Sequence, residues 1–155
     1  IYSEHTYVQD PVALYEQLKL NANGYPYVNR PHESQPYRGE VYMIDEFGGI
    51  RWVKEMNAPE VGTSNDFWGY GQAPRTIDEF YERLEKQVNV ILSLEHIDGF
   101  CFTQLVDVEL EKNGIYTYDR YPKFDMARIY KIFTKSREQA KKEVELMLKE
   151  SKKKH

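Results

Sequence analysis

One cysteine among 155 residues excludes an intramolecular disulfide framework and any zinc site built on cysteines. That residue, Cys101, lies in the apolar run from Gly99 to Phe102, which predicts a buried small hydrophobe. Long hydrophobic runs are missing too. No stretch approaches the roughly 18 apolar residues that cross a bilayer, so no membrane partner is expected, and no leading segment reads as a signal peptide. The chain also lacks a basic excess: its net charge is -4. Residues 1–133 carry 13 Lys/Arg against 21 Asp/Glu, whereas the stretch from Thr134 on carries 8 against 4. A body of that sign repels phosphate backbones, so nucleic acid is not an expected partner either. His32, His96 and His155 have no ligand partner at a metal-binding spacing, and no phosphate-cradling glycine loop or Ser-His-Asp pattern stands out. Neither a metal nor any other cofactor is expected.

What remains is an ordinary globular composition, 41% hydrophobic and 30% charged, long enough for one domain with a real core. Ile1 to Tyr7 is β-prone. Asp10-Pro11 then supplies an N-cap and first helical residue for a helix over Val12 to Leu20, with Leu14 and Leu18 on one face. Asn21 to Gly39, rich in Asn, Gly, Pro and Tyr, reads as a loop before a strand at Val41 to Ile44. About 30 aperiodic residues follow, from Phe47 to Arg75, and loops of that length inside compact domains usually carry function.

Thr76-Ile-Asp-Glu79 matches a capping box. Phe80, Leu84, Val88, Ile91 and Leu92 recur behind it at helical spacing. Gly99 to Val106 reads as a third strand, Asn113-Gly114 as a turn, Ile115 to Tyr118 as a short extended piece and Asp125 to Phe133 as a helix. Ser136-Arg-Glu-Gln139 opens a last helix whose stripe is Ala140, Val144, Met147 and Leu148. Strands alternating with helices predict an α/β fold with a parallel sheet.

Within that pattern Glu46 is the candidate for chemistry. Val41 to Ile44 is nearly all apolar, as suits a strand buried in a parallel sheet, and Asp45 and Glu46 sit where it ends. In β/α barrels that end carries the reacting groups. Gly48 and Gly49 permit a sharp turn and leave room for a ligand. A solvated acid at a strand end is the alternative reading.

Four strings then occur in order: Asp45-Glu-Phe-Gly-Gly49, Trp68-Gly-Tyr-Gly71, Gly99-Phe-Cys-Phe-Thr-Gln-Leu-Val-Asp107 and Asn113-Gly-Ile-Tyr-Thr-Tyr-Asp-Arg-Tyr-Pro-Lys123. Together they resemble the closing third to half of the catalytic barrel of glycoside hydrolase family 2, the β-galactosidases and β-glucuronidases. Glu4 to Pro11 resembles the strand and helix start that precede it. The resemblance implies a partial eight-stranded TIM barrel, its last three strands and their helices, over residues 1–133. Residues 134–155 form a trailing amphipathic helix and basic tail outside it.

By that resemblance Glu46 takes the nucleophile's place in a retaining hydrolysis of β-galactoside- or β-glucuronide-like substrates, a second carboxylic acid lying about 5 to 5.5 Å away. In the family that acid belongs to an Asn-Glu pair well upstream. No Asn-Glu pair occurs here, so the acid is expected from an N-terminal remainder of the parent enzyme and the isolated chain is expected to be inactive. Asp45 departs from the small residue common in the family. Strand alternation points it away from the sugar, towards a partner such as Arg51 or Arg75.

The substrate-binding candidates are Trp68 and Trp52 as stacking platforms, Phe102 beside the sugar, His5 (with Tyr7) as a hydroxyl ligand or an orienting group for Glu46, and Gln104 and Asp107 at the end of the last strand. Core packing competes for Trp52, Trp68 and Phe102, a structural role for His5, and loop capping for Gln104 and Asp107. A non-catalytic carbohydrate-binding module, or one that self-associates into a homo-oligomer through open sheet edges, is the alternative reading of the whole.

Overall fold

The computed structural model describes residues 1–53 and 67–153. Seven elements run β1 (Tyr2–Thr6), α1 (Pro11–Leu18), β2 (Tyr42–Gly48), α2 (Ile77–Ser93), β3 (Gly99–Thr103), α3 (Met126–Phe133) and α4 (Arg137–Lys153). The strands form one parallel sheet in the order β1-β2-β3, the mixed α/β arrangement that alternating elements demand. Residues 54–66 of the long connection after β2 lie outside the described residues.

Short-range chemistry sets the helix starts. Asp10 accepts the Ala13 N–H at 2.8 Å, and Pro11 occupies the first turn, where a missing N–H costs nothing. Thr76 accepts the Glu79 N–H at 3.1 Å, but Glu79 takes the Arg75 N–H at 2.8 Å instead of closing a reciprocal box on Thr76. Asp125 accepts the N–H groups of Ala127 and Arg128 and opens α3.

The core lies where β2 meets α1 and α2. Tyr42, Ile44 and Phe47 from β2, Leu14 and Leu18 from α1, and Phe80, Leu84, Val88 and Ile91 from α2 are almost fully buried in one cluster. Helix α4 packs along α2 and touches α1, burying Ala140 and Val144. Its first residue fastens it: the Arg137 guanidinium donates to the carbonyls of Leu94 (3.2 Å) and Ile97 (2.6 Å), beyond the end of α2. The basic C-terminal helix is thus a wall of the core.

Sheet register departs from simple alternation at one point, and the site depends on it. Glu4 pairs with Ile44 but His5 pairs with Glu46, so Asp45 is an extra residue in β2, and the β2–β3 pairing also shifts between Ile44 and Phe47. Such a bulge bends the strand and re-aims its side chains. The core positions of β2 are accordingly 42, 44 and 47, with one residue more than a period of two allows.

Cys101 is exposed, which corrects its expected burial. Phe100 and Phe102 turn edge-on to Phe47 on the core side. The residue between them therefore faces the other side of an edge strand, which no described element covers.

Candidate functional site

The C-terminal ends of the three strands bring His5 and Tyr7, Asp45 and Glu46, and Phe102 and Thr103 together. Glu4 and Thr6 are buried while His5 is exposed, so His5 projects from the opposite face, onto the bulge. Its Nε2 stands 3.2 Å from Asp45 Oδ1 and its Nδ1 3.5 Å from Glu46 Oε2. Asp45 therefore lies beside Glu46 and not away from it: the bulge cancels the alternation that would have separated them. Its partner is His5; Arg51 instead donates to the Phe67 carbonyl. Asp45 Oδ1 is buried and makes no aligned hydrogen bond despite the short approach, so the two groups are close neighbours without a directed bond between them.

Glu46 has a side-chain donor. The Tyr7 hydroxyl donates to its Oε2, and the same hydroxyl lies 3.4 Å from Thr103 Oγ1. Burial, and then the hydrogen bond to Glu46, raises the Tyr7 pKa well above the usual phenol value, so the group stays a neutral donor at any ordinary pH. The Glu46 side chain remains 43% exposed. The result is a carboxylate oriented by a phenol, with no lysine or arginine bridged to it among the described residues, and open to a ligand.

The backbone beyond Glu46 is built for close approach. Gly48 (φ +96°) and Gly49 (φ +59°) occupy the left-handed region, and a Cβ on Gly49 would stand 2.3 Å from the Tyr70 ring. Tyr70 N–H donates to the Gly49 carbonyl at 2.9 Å, and its ring stacks on Tyr7 with centroids 3.5 Å apart and planes 5° from parallel. Trp68 meets Tyr70 edge-on at 5.9 Å and stays 47% exposed. Its backbone is held by the Leu110 carbonyl and the Lys112 N–H. An exposed indole linked to the nucleophile candidate through Tyr70 and Tyr7 is a usable platform for the apolar face of a sugar.

The other candidates divide. Phe102 lies partly buried against Phe47 and Phe133, its ring filling the space above Gly48, so it packs the floor beside the site. Gln104 is fixed through its backbone to Asn113 and Ile115, and its buried Nε2 has no partner among the described residues. An orphaned donor of that kind invites a ligand or water.

Two candidates are corrected. Trp52 is 5% exposed and tilts against Phe80 in the core, because the apolar cluster claims the indole first. Asp107 is buried: its Oδ1 accepts from Lys123 Nζ at 2.8 Å and from the Gly114 N–H at 2.8 Å. Burial lowers the Lys123 pKa and Asp107 partly restores it. Asp107 thus staples the chain after β3, and both residues line a separate cleft of about 310 Å³ with Lys112 and Tyr118.

A cavity of about 740 Å³ lies elsewhere, between α1 and the following loop, lined by Tyr2, Gln17, Tyr25, Tyr27 and Tyr37 among others. It contains no member of the Glu46 group, and chemistry, not size, assigns the site. Tyr70 and Thr103 escaped the sequence reading. The two glycines flanking Tyr70 were a signal for it, overshadowed by the neighbouring tryptophan. Among the described residues no group of three or more His, Cys, Asp or Glu could hold a metal ion, and no helix is long and apolar enough to cross a membrane. No protein-family model and no curated protein matches this sequence.

Proposed function

We propose that this chain carries the nucleophile half of a retaining β-glycosidase site, on the closing strands of a β/α barrel like that of glycoside hydrolase family 2. The observation that carries the reading is Glu46 at the C-terminal end of the central parallel strand, half exposed, oriented by a neutral phenol and overlooked by the Trp68 loop.

In this reading a Glu46 oxygen attacks the anomeric carbon as the glycosidic bond breaks, forming a glycosyl ester that water later cleaves. The leaving alkoxide needs a proton from a second carboxylic acid. That acid, with further sugar-binding contacts, comes from an N-terminal remainder of the parent protein, and its absence typically costs about 10² to 10⁴ in rate. Tyr7 keeps the nucleophile aimed. The chain by itself is then inactive on ordinary glycosides.

A 2-deoxy-2-fluoroglycosyl fluoride tests this without the missing acid, because fluoride departs as an anion unaided while the ester bond to the enzyme forms. Incubation with galactosyl and glucuronyl versions, followed by peptide mass mapping, is expected to place the added sugar on Glu46. A sugar found on another residue, or none with either probe at saturating concentration, sinks the reading. The exposed Trp68 ring and the outer edges of β1 and β3, which pair with no further strand among the described residues, favour one other reading, a carbohydrate-binding or self-associating module. There the sugar binds without ever becoming covalently attached, or sedimentation finds a homo-oligomer.

A further inference from the structure

We propose that Tyr70 is a positioning residue that sets the Tyr7–Glu46 hydrogen bond from outside it, an inference that rests on Glu46 being the nucleophile of the proposed site. The Tyr7 and Tyr70 rings overlap almost directly, with centroids 3.5 Å apart and planes 5° from parallel. Aromatic pairs left to themselves settle at about 4.5 to 7 Å with an offset or an edge, so the overlap is imposed by the backbone that carries Tyr70.

That backbone is anchored on both sides of the residue. Gly69 lies against Arg51, where a Cβ would stand 2.6 Å from the arginine Cβ and 3.1 Å from the Gly49 carbonyl oxygen. Gly71 (φ +66°) lies against Gln9, where a Cβ would stand 2.6 Å from its Cγ. Between them Tyr70 N–H binds the Gly49 carbonyl. Gln9 in turn donates to the Gly48 carbonyl at 2.6 Å and to the Tyr7 carbonyl at 3.1 Å. The loop, the β1 end and the β2 turn therefore form one clamp, and the surface it presses on Tyr7 is the face of Tyr70. Tyr7 has its hydroxyl fixed by Glu46 and lies near Thr103; its ring plane is fixed by Tyr70. Without that face the phenol is free to swing about its side-chain torsions, and Glu46 loses its aim.

The test uses the full chain labelled with ¹³C at tyrosine Cζ, a nucleus that reports hydrogen bonding of the phenol, with Glu46→Gln supplying the reference for a weakened bond. Tyr70→Ala is expected to move the Tyr7 resonance towards that reference and to slow fluorosugar labelling of Glu46 about tenfold or more, as small misplacements do. Tyr70→Phe, which keeps the ring and loses only its hydroxyl, restores both. A Tyr70→Ala chain with unchanged circular dichroism, wild-type Tyr7 resonance and wild-type labelling overturns the proposal.

Should Tyr70→Ala fail to fold, Tyr70→Leu fills the space without a flat face and is read in the same way. A wild-type chain that takes no label ends the glycosidase reading, while the Tyr7 resonance still decides whether Tyr70 governs the bond to Glu46.

Discussion

Two carboxylates at the ends of neighbouring strands meet opposite fates. Asp107, after β3, is buried, bonded by a buried lysine and by a backbone N–H. Glu46, in β2, is half exposed and held by a neutral phenol, with an exposed histidine nearby. A buried cation and a backbone donor fix a carboxylate as structure, since any reaction would leave an unpaired charge in the interior. A single neutral donor orients a carboxylate without consuming its charge. The pattern of partners separates the two roles more sharply than the sequence does, where each is an acid following an apolar run.

The comparison breaks or sharpens under substitution. The largest effect is expected from Glu46→Gln: complete loss of fluorosugar labelling with the urea midpoint almost unmoved, because an exposed side chain contributes little to stability. A large drop in midpoint would make Glu46 a structural residue like Asp107. Lys123→Met should do the reverse, destabilising the fold by about 3 to 5 kcal/mol through the stranded Asp107 charge. A urea titration that finds less than ~1 kcal/mol refutes the assigned role.

pH probes the neutral-donor side. Tyr7 and Tyr42 have folded pKa values raised well above 10, by burial first in each case. The unfolded phenols release protons near pH 10 while the folded ones hold theirs, so stability present below pH 10 declines as pH rises above it. Tyrosinate absorbance should show two phenols that ionise only with unfolding; simple titration of every tyrosine near pH 10 contradicts the burial. The smallest effect belongs to a third kind of carboxylate. Asp10 caps α1 from an exposed position, and Asp10→Ala should cost about 1 kcal/mol, measurable by thermal melting against an unchanged labelling rate.

The helices were legible because their signals act within four residues. Thr76, Asp10 and Asp125 cap where their side chains reach the next N–H groups, and the 80, 84, 88, 91 spacing of α2 is the buried stripe itself. Glu46 was legible as an acid ending an apolar strand. Its surroundings were less so. Asp45 reads as pointing outward under strict alternation, yet the bulge turns it to His5. Trp52 and Trp68 are the same residue type in the same long connection, but one is buried against Phe80 and the other exposed over Tyr70. Cys101 sits in an apolar run and is exposed because it projects from the sheet face opposite Phe100 and Phe102.

By itself the sequence determined the alternating α/β order, the capped helices and the acid at the end of the second strand. Each follows from interactions between residues close along the chain. Only tertiary structure decided that Asp45 joins Glu46, that Tyr7 and Tyr70 stack above it, and that Asp107 is sealed against Lys123. Those outcomes depend on how separate segments pair and pack, and one inserted residue in a strand, or one neighbouring surface left uncovered, reverses where a side chain points.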